Sequence, residues 1–319
     1  MPRKPEFTNS ALCVVGNINR DVKLAPLHPG EHLFRDGETS VSSINETIGG
    51  GGANSAFAAA ALGARTSFLG KVGADALGKR LLRTLKNYQI SAHLAASPAH
   101  QTGTSIALAF DTGQRHFLSC LPASESLCFD DLDCSALTGY DHLLRADIWF
   151  SDSMLFEGNK TLFENARSAG LSISIDLNWD PQWSRAAADV IRARKKAVRA
   201  VLPWVNLAHG NIRELKEFAD VDDLSTALNR LSDWGAESVV VHMGEQGAGY
   251  FHAGALIIEP PAPTSTRVHA TGTGDVLSVC MMLLHRRTEM EISQRLRLAN
   301  RIVAEFMEGK LQLIPELED

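Results

Sequence analysis

The chain reads as an α/β protein built on a mainly parallel central sheet, with a second, small β-sheet set apart from it. Three observations predict this. From about residue 145 onward, short apolar runs alternate with helix-length segments, the pattern of parallel strands joined by right-handed helical crossovers. Residues 22–48 mix polar-apolar alternation with turn residues, and residues 92–120 are strand-like, so both suit a small exposed sheet better than a buried core. Near the C-terminus, Ala270-Thr271-Gly272-Thr273-Gly274-Asp275 leads into the apolar run 276–284, a glycine-rich start to a helix.

The elements follow in order. Ala11–Val15 is a short apolar run closed by Gly16, which predicts a buried strand. Gly49-Gly50-Gly51-Gly52 leads into an alanine-rich helix over 53–62, followed by a strand at 66–70 and a helix at 76–86. Segments 102–110 and 116–120 flank Asp111-Thr112-Gly113-Gln114 and predict a hairpin. Strands are expected at 148–151, 171–176, 205–208 and 238–243, with helices near 158–169, 184–199, 211–218 and 223–234. A second hairpin over 250–258 and two helices, 273–286 and 290–307, close the chain. There is no internal repeat, low-complexity stretch or Pro/Gly/Ser-rich linker, so residues 1–319 are expected to form a single domain. The small sheet would draw on 22–48 and 92–120 and act as a lid.

Composition narrows the function classes. Hydrophobic residues make up 45% of the 319 and charged residues 21%, ordinary for a soluble globular protein with a large core. The net charge is −6 with no basic block, which argues against nucleic acid; the cluster over 192–199 reads as the wet face of a helix. Five scattered cysteines without a Cys-x-x-Cys pair support neither a disulfide framework nor a zinc site, and fit a reducing cytoplasm. The run at 11–15 is too short for a signal-peptide core, and no apolar stretch reaches membrane-spanning length, so no membrane role is expected.

The chemistry concentrates in five segments. At a helix N-terminus the unpaired amides and the dipole favour an anion, and Gly272 and Gly274 let the backbone approach one closely. Asp275 would repel a phosphate there, unless its task is to take a proton from an attacking hydroxyl. The competing reading is a turn capped by Thr271 or Thr273 with a dipole-favoured acid. Asn19 and Asp21 follow the first strand, where open α/β sheets bind ligands, and can hydrogen-bond sugar hydroxyls; an Asx turn is the alternative. Gly49 to Asn54 lack the spacing of a dinucleotide fingerprint and suit the floor of a polyol site. Asn211 is a plausible N-cap completed by Glu214, which could also stand near a magnesium ion through water. His242-Met243-Gly244-Glu245-Gln246-Gly247 ends a strand in a turn that could cradle a nucleotide beside a phosphate site.

In this order the segments resemble the PfkB/ribokinase family of carbohydrate kinases, over about residues 11–310. Residues 49–54 followed by Leu69-Gly70-Lys71-Val72-Gly73-Ala74-Asp75-Ala76-Leu77-Gly78 are similar to its N-terminal signature, residues 269–280 to its C-terminal signature, and Asn211 to Glu214 to its Asn-x-x-Glu motif. The resemblance implies a three-layer α/β/α domain with a β-sheet lid, and transfer of the ATP γ-phosphoryl group to a sugar hydroxyl with magnesium. It implies Asp275 as base and the backbone of Gly272, Thr273, Gly274 and Asp275 as anion hole. It implies Asp21, Gly50, Asn54 and Asn19 at the sugar, and Glu214 and Asn211 at magnesium and phosphate. Gly244, Gly247 and His242 would lie by the nucleotide, and Asn300 near the adenine. An exposed lid edge suggests a homodimer through that sheet.

Departures from the family pattern refine the expectation. His269 stands where the second signature usually opens with Asp, which argues against activation by K+. His242 stands where Thr is frequent. Asp180, in the run from Asp176 to Trp183, replaces an Arg frequent in ketodeoxygluconate-type members, which points away from keto-acid sugars and toward a neutral one. Gly51 replaces a Lys frequent in ribokinases, so ribose is not singled out. A nucleoside kinase of the same family is the alternative enzyme, although 22–48 offers only Phe34 as a lid aromatic. A non-catalytic sugar sensor is the alternative class, opposed by the intact Gly272, Gly274 and Asp275.

Overall fold

Thirteen strands among the described residues divide between two sheets. The structure is a computed structural model and describes residues 7–112, 114–265, 271–315 and 317, with Arg115 described by its backbone alone. In chain order the elements begin with β1 (Ala11–Val15), β2 (Asn19–Leu24), β3 (Ile44–Gly49), α1 (Gly51–Ala61), β4 (Arg65–Gly73), α2 (Ala76–Asn87) and β5 (Ser91–Ser97). Then come β6 (Thr104–Ala109), β7 (Arg115–Cys120), the short α3 (Pro122–Glu125), β8 (His142–Arg145), α4 (Asn159–Ser168) and β9 (Ser172–Asp176). The remainder is α5 (Ala188–Val201), β10 (Leu207–Asn211), α6 (Ile212–Ala219), α7 (Leu224–Asp233), β11 (Ser238–His242), β12 (Ala248–His252), β13 (Ala255–Glu259), α8 (Thr273–His285) and α9 (Ile292–Met307).

The large sheet has the order β13-β12-β11-β10-β9-β8-β1-β4-β5. Its strands from β11 to β5 pair in parallel, and β12 and β13 add an antiparallel hairpin at one edge. Every residue of β1 is buried, and alternate residues feed opposite cores. Leu12 and Val14 pack with α1, α2, α8 and α9, while Cys13 and Val15 pack with α4, α5, α6 and α7. Helices therefore cover both faces, the three-layer arrangement that a buried parallel sheet requires. Residues 276–284 of α8 are buried on all sides, which explains their unbroken apolar character.

The second sheet runs β3-β2-β6-β7, with β2 and β6 parallel and the other pairs antiparallel. One face carries Asn19, Asp21 and Ser105, all buried against the body. The opposite face exposes Ile44, Ile106 and Leu118.

Three expectations are corrected. The lid range 92–120 is too wide, because β5 pairs with β4 at the edge of the large sheet and the small sheet resumes only at Thr104. An edge strand that is only partly buried lacks the continuous apolar run of a central one. Within 22–48 only the ends are strands, and β2 starts at Asn19, so Asn19 and Asp21 are themselves small-sheet residues. The strand expected at 148–151 lies at β8, where buried His142 and Arg145 interrupt the apolar signal. Arg145 is accommodated by donating to Asn159 Oδ1 at 2.8 Å and to the Ala146 carbonyl. His269 and Ala270 lie outside the described residues. No described helix is long and apolar enough to cross a membrane.

Candidate active site

The C-terminal ends of β1, β8, β9, β10 and β11 open toward the N-terminus of α8. Gly272 precedes that helix with φ +84°, a left-handed conformation that favours glycine. The first bond of the helical ladder is Val276 N–H to the Gly272 carbonyl, which leaves the amides of Thr273, Gly274 and Asp275 ahead of the ladder at the positive end of the dipole. Gly274 passes close over His242, since a Cβ would lie 3.2 Å from its Nδ1. The His242 ring is half-buried at the cleft wall, and desolvation holds its pKa down to about 4, so it is neutral near pH 7 and shares a 3.2 Å hydrogen bond with Ser278 Oγ.

Asp275 sits in the first turn of α8. Burial is the main cause that pushes its pKa up to about 7. The Asn54 side chain opposes that rise, donating from Nδ2 to Asp275 Oδ2 at 2.9 Å, while the charges of Asp147, Glu214 and Asp21 add to it. A carboxylate with a pKa near the working pH is suited to general-base chemistry.

On one side of Asp275 lie the residues expected at a sugar. Asn19 donates from Nδ2 to Asp21 Oδ1 at 2.7 Å, and burial raises the Asp21 pKa. Gly50 has φ +96°, and a Cβ would come within 2.4 Å of the Asn17 carbonyl oxygen, so the chain can turn from β3 into α1 here only with glycine. Asn54, on the first turns of α1, completes this group.

On the other side a cleft of about 760 Å³ is lined by Asn211, His242, Gly244, Gly247, Thr273, Gly274 and Asn300, with Pro261, Leu277, Val303 and Met307 as apolar walls. All five residues expected near the nucleotide thus meet in one cavity. Asn300 donates its amide to the Glu259 and Pro260 carbonyls at 3.0 and 2.8 Å, which ties the wall after β13 to α9.

Asn211 and Glu214 form the capping box that their spacing predicts. Asn211 Oδ1 accepts from Glu214 N–H at 2.9 Å, and Glu214 Oε2 accepts from Asn211 N–H at 2.8 Å. Glu214 Oε1 has no part in that box. Burial raises the Glu214 pKa. Among the described residues there is no cage of three or more His, Cys, Asp or Glu for a metal.

Asp180 is fully buried. Its Oδ2 accepts from Arg194 Nε at 2.7 Å, and Arg194 also reaches Asp152 and the Trp149 carbonyl. The acid that replaces a family Arg is therefore a buried ion-pair partner.

Two site acids escaped the sequence reading as functional residues. Asp147, just after β8, accepts from three backbone amides and lies in no motif. Asp176 ends β9, and burial followed by the charges of Asp275 and Glu214 raises its pKa well above the ordinary value. Its position at the carboxyl end of a predicted strand was the available signal.

Known proteins share this fold. The family model described as pfkB family carbohydrate kinase matches residues 9–305. The chain is 26% identical over 269 residues to 2-dehydro-3-deoxygalactonokinase of Haloferax volcanii, covering 77% of this chain and 79% of that protein. Its fold is similar to adenosine kinase from Sinorhizobium meliloti, with a TM-score of 0.79, 16% identity and 96% of each chain covered. It is also similar to Arabidopsis thaliana ribokinase complexed with ribose and ATP, with a TM-score of 0.74, 20% identity and 96% of each chain covered. With both signature regions in place and the family model spanning both sheets, the chain belongs to the pfkB family of carbohydrate kinases.

Proposed function

We propose that the protein transfers the γ-phosphoryl group of ATP to a hydroxyl of a small neutral sugar. The observation that carries this reading is the position of Asp275, bonded to Asn54 on the polyol side and set in the helix turn that faces the cleft on the other. Asn19, Asp21, Asn54 and the Gly50 backbone would hold the acceptor hydroxyls. Asp275 would take the proton from the attacking hydroxyl, and the amides of Thr273, Gly274 and Asp275 would receive the charge on the phosphoryl oxygens. ATP would lie in the cleft, its base between the apolar walls and its phosphates toward Asn211 and α8. Glu214 suits a magnesium ion held through water, since one hard carboxylate oxygen stays outside the capping box; bound magnesium would neutralise phosphate charge. The small sheet would close over the acceptor and exclude water.

A neutral acceptor is favoured because Asp21, Asp147, Asp176 and Asp275 crowd the site and Asp180 adds no cation. The apolar outer face with Ile44, Ile106 and Leu118 supports dimerisation through the lid. Five cysteines, none in a disulfide, suit a reducing, cytoplasmic setting. A nucleoside acceptor is the second reading, favoured by Phe117. Strand register puts this half-exposed ring on the face of Ser119, whose Oγ is 2.9 Å from Ser105 Oγ.

The test is ADP release from ATP and magnesium across neutral sugars, keto-acid sugars and nucleosides, with and without potassium. Turnover on a neutral sugar that Asp275→Asn abolishes supports the proposal. Turnover confined to a keto-acid sugar or a nucleoside refutes the acceptor class, and sugar binding without turnover refutes the enzyme.

A further inference from the structure

The acid at the end of β8 has an unusual set of partners. Asp147 Oδ2 accepts from Asn17 N–H at 2.9 Å and from Gly52 N–H at 2.8 Å, and Oδ1 accepts from Gly51 N–H at 3.2 Å. All three donors are main-chain amides. One belongs to the loop after β1, two residues before Asn19; the other two open α1, which carries Asn54. A second bond joins the same segments, from Ala53 N–H to the Asn17 carbonyl at 3.0 Å. The acid is tied to the large sheet through its neighbour, since Ala146 N–H donates to the Val15 carbonyl at 2.9 Å.

The position is demanding. Asp147 has φ +53°, a left-handed conformation uncommon for a residue other than glycine, and such a backbone persists only where its surroundings over-determine it. The carboxylate is buried, and a Cβ on Gly51 would stand 2.8 Å from Oδ1, so the amides close directly onto it. A charged acceptor at the N-terminus of α1 also complements the helix dipole.

We propose that Asp147 is a positioning residue, whose carboxylate sets the spacing between the loop after β1 and the first turn of α1 and so fixes the geometry in which Asn19, Asp21 and Asn54 meet an acceptor. This deepens the sugar-kinase reading and rests on it. Asp147 has an electrostatic consequence as well. Burial raises the Asp147 pKa, the three amides and Arg145 on β8 oppose that rise, and Asp21 on β2, Asp176 on β9 and Asp275 on α8 each feel its charge. Removing the charge would lower the pKa of Asp275.

The variants are Asp147→Asn, close in shape but unable to accept from all three amides, and Asp147→Glu, which keeps the charge at the wrong reach. Hydrogen–deuterium exchange on the unliganded protein reads the clamp without any substrate. In Asp147→Asn, exchange is expected to rise at least about tenfold in peptides covering 16–19 and 50–54 and to stay unchanged over 238–247, with little loss of Tm. With an active acceptor, its KM should rise at least about tenfold while the KM for ATP holds within about twofold, and the acid limb of the kcat/KM profile should move to lower pH. Asp147→Glu should loosen the same peptides without moving that limb. Unchanged exchange at the two segments overturns the proposal. So does a general rise in exchange with a fallen Tm and equal loss of both substrates, which marks a purely structural acid. An inactive wild-type protein would refute the kinase reading alone, because the exchange result stands without turnover.

Discussion

Asn54 Nδ2 and Asp275 Oδ2 lie 2.9 Å apart, a hydrogen bond between the starts of two helices 221 residues apart in sequence. The bond engages one oxygen of a half-buried carboxylate, and it lowers a pKa that desolvation raises. One side chain thereby orients the acid and tunes it.

Asp275→Asn should reduce kcat by at least about a thousandfold, on the upper side of general-base effects, and leave sugar affinity within a few-fold. The amide can still accept from Asn54, so the surroundings should hold. Rapid-quench turnover and calorimetry on the same preparation decide the matter. Near-normal turnover would remove Asp275 from the role of base.

The pH profile should follow the same carboxylate. Its pKa stands at about 7, and the base form is the ionised one, so kcat/KM should fall on the acid side of neutrality. Asn54→Ala removes a hydrogen bond that lowers this pKa, so the acid limb should move to higher pH. A limb that stays in place, or moves down, would contradict the coupling.

Stability should carry the opposite signature. The folded pKa of Asp275 lies above its ordinary 3.8, so the folded protein binds this proton more tightly than the unfolded chain. Its contribution therefore falls as pH rises from about 4 through about 7, and ionisation costs up to about 4 kcal/mol at higher pH. Asp275→Asn should be more stable than the wild type at pH 8, by a margin that shrinks at pH 5. Urea unfolding at the two pH values measures this.

Asn300→Leu should loosen the wall of the cleft after β13, because it removes both amide bonds to the Glu259 and Pro260 carbonyls. The KM for ATP should rise about tenfold and the KM for sugar should not move. A change confined to the sugar would place Asn300 elsewhere in the mechanism.

The sequence disclosed the parts of the fold whose local chemistry agrees with their surroundings. β1 is apolar because it is buried on both faces, and the run after Asp275 is apolar because α8 crosses the core. β8 hid because a buried His and a buried Arg occupy two of its four positions, the Arg donating to Asn159 and to the main-chain oxygens of Val15 and Ala146. β5 reads as a strand but falls to the small sheet in the sequence, since an edge strand is half wet. At the site, glycine spacing marked the turns that lead into α1 and α8. Asp147 was illegible because its partners are backbone amides, which leave no mark on side-chain patterns.

The chain passes between the two sheets four times: from β1 into β2, from β3 into α1, from β5 into β6, and from β7 into α3. The first two passages run through Asn17 and Gly50, beside Asp21 on the small sheet and Asn54 on α1. A sugar held between those two side chains would be the fastener of the lid as well as its contents. If the small sheet closes, it would need no signal from a distant latch, and a compound too short to bridge the gap would bind without shutting it.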